Sequence, residues 1–410
     1  MSSKVTTMMT NAVHMLLVSI VGAIKWFEIA TYKWTNTYLR GMVDAAFRKG
    51  KLYVDGPKPY DPQVKNKEEF YNRIIENPSL GIGECYMEGH WECEDVEEFT
   101  YQIFMNKIIK SYMNPINKFL NFLLFKVVNL QTKQRAWEVG EKHYDLGNDL
   151  FESFLDPSMN YSCGYWKTAK NLHQAQLDKM DLIGRKLKLK PGMKVLDIGC
   201  GWGGLCKYLA ENYGVSVVGC TISVEQAKIA RERCANLPID IRLVDYRDLD
   251  EKFDRIVSVG MFEHVGTSNY RTFFEVANKC MNDEGLFLLH TIGVSHNWVP
   301  LIESWFHKYI FPNGILPYHT EILQSVDGLF VLEDWHNFST YYSNTLRAWK
   351  DNFVKNWPKL KAAKKLDEKF FRMWTYYLSI SSAAFRSRKY QVWQVVLSKD
   401  GMLGGYESVR

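Results

Sequence analysis

The eight cysteines include no C-x-x-C pair and form no dense framework, so a disulfide-stapled fold is not expected. No cysteine and histidine share metal-ligand spacing, so no metal site is expected either. An unpaired cysteine set of this kind fits a reduced, cytoplasmic setting. There is no arginine-rich stretch, which leaves out nucleic acid as a partner, and no internal repeat or low-complexity tract. Net charge is slight, +5, a surface that tolerates anionic lipid rather than repelling it. Long apolar runs are also scarce. Residues 12–24 are apolar apart from His14 and Ser19, which is short of the ~20 residues a bilayer span requires. Reaching that length takes in Asn11 and Lys25, and no small-residue cleavage site marks a signal peptide. A membrane-surface or anchoring helix, an uncleaved targeting segment and a helix packed on the domain all remain open for residues 1–30.

What the chain does have is an organising stretch. Residues 195–204 read VLDIGCGWGG, an apolar run that ends in an acid and then a glycine-dense turn. Residues 205–213 follow with helical spacing. Strand, tight turn and helix together form the entry of a nucleotide-binding α/β unit. The turn lacks the Lys-Ser/Thr of a phosphate-cradling loop, and its glycines alternate at 199, 201 and 203 rather than in dinucleotide spacing. D-x-G-x-G after a strand suggests S-adenosylmethionine, an adenosine with a charged amino-acid tail and no phosphate.

Apolar runs at 194–198, 216–219, 239–244, 255–259, 285–291, 330–333 and 392–398 predict seven strands with helices between them. Ser223 and Gln226 have capping-box spacing at the start of one of those helices. The alternation predicts an α/β fold with a mostly parallel sheet. Residues 31–115 read as a small, mainly helical domain and 136–410 as the catalytic domain. Between them, 116–135 is apolar nearly all round, a buried connector or a lipid-touching helix. An aromatic helical insertion at 341–388 is placed to roof an apolar pocket. Ligands of open parallel sheets bind at the carboxyl ends of strands, which points to residues 199–203, 221–222, 245–246, 260–264 and 290.

Several stretches together resemble the cyclopropane-fatty-acyl-phospholipid synthase family. They are 143–151 (HYDLGNDLF), 155–163 (LDPSMNYSC), 195–204, 257–266 (VSVGMFEHVG), 288–293 (LLHTIG), 309–314 (YIFPNG) and 333–338 (EDWHNF). The likeness covers residues 34–410. It implies a class I S-adenosylmethionine-dependent methyltransferase, Rossmann-like, with a seven-stranded sheet and a small helical N-terminal domain. It also implies transfer of the methyl carbon to the cis double bond of an unsaturated phospholipid acyl chain, closing a cyclopropane. By resemblance, Asp197, Gly199 and Gly201 form the cofactor turn. Tyr161 and Ser162 close over the amino-acid tail, Thr221, Ile222 and Gln226 hold the ribose, and Tyr246 lies beside the adenine. The family's bicarbonate would sit among Cys163, Glu263, His290, Ile292 (through its backbone) and Tyr342. A homodimer peripherally associated with a membrane surface is implied as well.

An alkene is a weak nucleophile, so the reaction needs it held in line with the sulfonium methyl, where good placement contributes ~7–11 kcal/mol. Attack leaves a cation that water would trap, so the pocket must be dry, and aromatic faces stabilise such a cation by ~0.5–2 kcal/mol each. Ring closure then removes a proton. A carboxylate at the cation would risk an ester, whereas a small bound anion can act as the base. Glu263 would then accept the bicarbonate hydroxyl, with His290 and Tyr342 donating to its oxygens. Taken singly these residues say less. Glu263 alone could contact only cofactor or loop, His290 ends an apolar strand like a core histidine, and nothing marks Cys163 as a nucleophile. Two rivals share the pattern in part. One is a related methyltransferase that makes a methyl branch or methylates an amine. The other is a non-catalytic lipid-binding protein, for which intact glycine and anion-site motifs would be idle.

Overall fold

Seven strands of one sheet carry the catalytic half. In the computed structural model they are β1 (Lys194–Ile198), β2 (Ser216–Thr221), β3 (Ile239–Leu243), β4 (Phe253–Val259), β5 (Met281–Gly293), β6 (Val331–Asn337) and β7 (Gln391–Ser398). The structure describes residues 37–108, 147–294, 304–312, 314–364, 366–410 and Ser19. The expectations for 1–30 and 116–135 therefore lie outside the described residues, Ser19 excepted. Among those that are described, no helix is long and apolar enough to cross a membrane.

The spatial order is β3-β2-β1-β4-β5-β7-β6. The first five of these strands are mutually parallel, and β7 runs antiparallel to both β5 and β6. Sequence order reverses on either side of β1, so the crevice at its carboxyl end is the topological switch point. The strands form because both sheet faces are covered. Val195 to Ile198 are all buried, and β5 and β7 are apolar on both sides. One face packs through Phe253, Phe262, Phe273, Phe274 and Phe287. The other packs through Leu205, Leu209, Val217, Ala227 and Leu288.

The helices that matter for the site are α1 (Asn148–Phe154), α2 (Leu172–Lys186), α3 (Gly204–Tyr213), α4 (Val224–Arg233), α5 (Tyr270–Cys280), α6 (His319–Val326) and α7 (Thr340–Lys364). Asn171 caps α2 by accepting from the Gln174 amide at 2.9 Å. Ser223 caps α4, accepting from the Gln226 amide at 3.3 Å. The reciprocal half of the expected capping box is not made. The Ser223 amide donates to Thr221 Oγ1, and the Gln226 carboxamide oxygen accepts from the same hydroxyl.

The chain divides into two compact units, and the division is not sequential. The second unit holds the sheet and α1–α7, with 388–410 returning to it. The first takes residues 37–108 together with 304–312 and 366–387. Its helices include 37–49, Lys67–Glu76, Pro78–Met87, Val96–Met105, Ser304–Tyr309 and Glu368–Arg386. Trp91 is its centre, with ring centroids 4.9 Å from Phe99 and 6.3 Å from Phe70. The stretch read as one insertion is thus two helices assigned to different units. Asp367 starts the second by accepting from the Phe370 amide at 2.8 Å.

Candidate active site

The glycine turn follows β1 as the sequence predicts, and its geometry separates two glycines. Gly199 has φ +86°, and a Cβ there would lie 2.7 Å from Met261. Gly201 has φ +55°, yet a Cβ there would meet nothing within 4 Å among the described residues. The first glycine is required by packing. The second borders open space, the cradle a ligand would need. Trp202 is anchored beside it, donating from Nε1 to Asn148 at 2.9 Å and packing 4.9 Å from the Phe151 ring.

Asp197 is buried at the end of β1. Burial raises its carboxyl to about 7, countered in part by the Cys206 thiol, which donates at 3.3 Å, and by the charge of Lys179. Thr221 and Gln226 are buried and bonded to each other, which leaves the Gln226 amide nitrogen as a donor. Ile222 between them is half-buried. Tyr246 follows β3, its ring 5.4 Å edge-on from Phe273 and its phenol pushed up by burial. Neighbouring Asp245 is committed to Arg247 through three bonds, two from the guanidinium at 2.8 and 2.6 Å and one from the amide at 3.0 Å.

Segment 160–165 is clamped from two sides. On one side the Tyr165 amide donates to Ala175 of α2 at 2.8 Å. On the other the Gly164 amide donates to Thr345 of α7 at 3.0 Å. Thr345 lies one helical turn from Tyr342, so the clamp brings Cys163 and Tyr342 to the same region. Aromatic rings continue the wall. Tyr161 packs 5.2 Å from Trp349, and Trp349 packs 5.9 Å from Tyr342.

Glu263 sits in a short 3-10 turn after β4 that rests on stacked rings, Phe262 on Tyr270 at 4.3 Å. Its Oε1 accepts the Ile292 amide at 2.6 Å, and its buried Oε2 has no partner among the described residues. Burial raises its carboxyl to about 7 even against the Ile292 amide and the nearby Thr291 hydroxyl, which donates instead to the Ile292 carbonyl at 3.0 Å. The backbone of Ile292, expected at an anion, here bonds Glu263 through its amide. An orphaned buried carboxylate oxygen is costly and calls for a donor. His290 pairs in register with Val259, the residue before the Gly260–His264 loop. Desolvation, with Lys179, Lys186 and His336 nearby, holds its imidazole neutral, far below the usual range. The Gln394 amide nitrogen lies 3.4 Å from its Nδ1, and with that amide donating, the proton is on Nε2. Cys163 is fully buried and burial pushes its thiol up, so it is no nucleophile. His264, next to Glu263, is held neutral at about 4 by desolvation.

The fold thus brings the predicted residues to one edge of the sheet, in two groups. Both raised carboxyls have the same consequence for stability. Each favours the folded state while protonated, below its unfolded value near pH ~4, and that contribution is lost as pH rises through about 7.

Comparison with known proteins settles the family. The mycolic acid cyclopropane synthetase family matches residues 131–395. The cyclopropane-fatty-acyl-phospholipid synthase of Escherichia coli is 51% identical over 348 residues, 85% of this chain and 90% of that protein. The chain belongs to this family. It is an S-adenosylmethionine-dependent methyltransferase. Among solved structures, the Mycobacterium tuberculosis cyclopropane synthase MmaA2 is 31% identical with a TM-score of 0.61, covering 66% of this chain and all of that one. The mycolic acid cyclopropane synthase CmaA1, solved with SAH and CTAB, is 32% identical with a TM-score of 0.60, covering 64% and 98%.

Sequence reasoning missed four residues of this cyclopropane synthetase site: Gln176, Lys179, Thr345 and Gln394. All four are fully buried polar side chains. Only the Asn171 cap before an amphipathic run hinted that α2 exists, and nothing local marks Gln394, which is polar in an otherwise apolar strand.

Proposed function

We propose that this enzyme is a cyclopropane-fatty-acyl-phospholipid synthase that works at a membrane surface with bicarbonate as its base. The observation that carries the reading is the buried Oε2 of Glu263, unpartnered among the described residues, at the strand-end edge it shares with a neutral His290 and the cofactor turn. Bicarbonate, when bound, supplies a base for the last proton. Glu263 Oε2 accepts its hydroxyl proton, while His290 Nε2–H and the Tyr342 hydroxyl donate to its oxygens. The Ile292 amide fixes Glu263 from behind, so this residue contributes through the carboxylate. Phe151, Phe154, Tyr161, Trp202 and Trp349 keep water out and present ring faces to positive charge.

The methyl donor is held by the other group. Gly201 gives it room, Ser162 and Tyr161 take its amino-acid tail, and Thr221, Ile222 and Gln226 take the ribose. Tyr246 covers the adenine, and Asp197 meets the positive end. A cation beside Asp197 favours its ionised form, so binding below about pH 7 must first remove a proton. S-adenosylhomocysteine affinity should therefore rise by up to ~10-fold from pH 6 to pH 7 and then level off. Asp197→Asn should flatten that dependence. Calorimetry across the pH range reads both, and a flat wild-type profile would remove Asp197 from the tail.

The function itself is tested in lipid extracts. Cells with monounsaturated phospholipids that express the chain should gain one CH2 per modified double bond, with ring-proton signals in the nuclear magnetic resonance spectrum. A mass gain with branched-methyl signals instead would assign the methyl-branch activity. No gain would refute the enzyme reading for lipids.

A further inference from the structure

Lys179 and Gln176 stand one turn apart on α2, both with no exposed surface. They face the segment that the proposed function places over the cofactor's tail. The Gln176 amide nitrogen donates to the Ser162 carbonyl at 2.9 Å. Lys179 Nζ donates to Ser162 Oγ at 2.8 Å and to Asn160 Oδ1 at 3.2 Å. An ammonium has donors and no lone pair. Its bond to Ser162 therefore uses the hydroxyl as an acceptor, and the serine's own hydrogen must point elsewhere. The carbonyl is already held from α2, and Cβ of Ser162 lies 3.8 Å from the Cβ position at Gly260, on the strand-end side. An acceptor arriving on that side can take the Ser162 hydrogen.

We propose that Lys179 is a positioning residue that makes Ser162 an obligate hydrogen-bond donor to the carboxylate of the S-adenosylmethionine tail, with a buried positive charge one hydroxyl behind it. The proposal rests on the assignment of Ser162 to that tail. Its electrostatics are asymmetric. Of the acidic groups near Lys179, Asp156 is engaged by Ser158, the Asn160 amide and the His173 ring. Asp197 and Cys163 are held toward their neutral forms by burial. Desolvation lowers Lys179 to about 8 because these neighbours do not fully compensate it. An arriving carboxylate supplies the missing counter-charge.

The test compares two ligands that differ in the tail. S-adenosylhomocysteine has it, and 5′-methylthioadenosine keeps the nucleoside and thioether without it. Lys179→Met should weaken S-adenosylhomocysteine by about tenfold or more, as expected for a hydrogen bond to a charged group, and methylthioadenosine by no more than about twofold. Lys179→Arg should restore most of the difference. The double variant with Ser162→Ala should lose little beyond Ser162→Ala alone, since the two act as one unit. Equal losses for both ligands would show a merely structural lysine and overturn the proposal. Should the Met variant not fold, Lys179→Gln is read by the same criterion. If Ser162→Ala spares both ligands, the tail assignment itself fails. If Ser162→Ala is tail-selective and Lys179→Met is not, only this inference fails.

Discussion

Glu263→Gln will lower turnover by about 10²–10⁴-fold while S-adenosylhomocysteine binds as before. The carboxamide keeps an oxygen for the Ile292 amide, so the 2.6 Å bond that fixes the loop survives. What changes is the other atom. Oε2, an acceptor with no partner among the described residues, becomes an NH2 donor where the proposed anion needs an acceptor. A captured anion then loses its proton acceptor and its orientation together. Stability should not suffer. A carboxyl that burial has raised to about 7 opposes folding once pH exceeds that value. The amide removes the buried charge, so the variant's Tm at pH 8 should equal or exceed that of the wild type. A parallel fall in Tm and turnover would mark Glu263 as structural.

Gly201→Leu is expected to abolish cofactor binding, a loss of at least ~100-fold, in a protein that still folds. The position is left-handed, which costs a non-glycine residue about 1–2 kcal/mol, well within the ~5–15 kcal/mol that typically holds a domain. No described residue stands within 4 Å of the new Cβ, so the side chain extends into the space that the nucleoside needs. Gly199 is the contrast. A side chain there meets Met261 at 2.7 Å and should destabilise the fold itself. Thermal melts beside calorimetry separate the two. Normal binding by Gly201→Leu would mean that the ligand does not lie against this turn.

The sheet was legible because its strands are short apolar runs between turn signals, and all seven fall where those runs do. Their ends differ by a few residues. β5, for instance, begins at Met281, which pairs with Phe253 ahead of an irregularity that holds the polar residues Asn282 to Glu284 before the register resumes at Leu286. The two-helix character of 340–386 was hidden. Aromatic residues run through both helices, and only the cap at Asp367 divides them. The grouping of 304–312 and 366–387 with the first unit is a long-range packing fact with no local signature. The residues proposed to meet the ligands could be named from motif resemblance, since glycines, Glu263 and His290 follow strands directly. Their support could not. Lys179 occupies a buried helical position where a lysine ordinarily signals solvent, and Thr345 serves through a hydroxyl that any exposed helix might carry.

The rate in buffer stripped of carbon dioxide, followed as bicarbonate is added back at saturating S-adenosylmethionine, tests the bound base most directly. Wild-type turnover should rise from near zero along a saturating curve, and Glu263→Gln should stay low and flat at every concentration. A wild-type rate that is full without bicarbonate and indifferent to its addition would contradict the role of Glu263 and its open oxygen as the anion's proton acceptor.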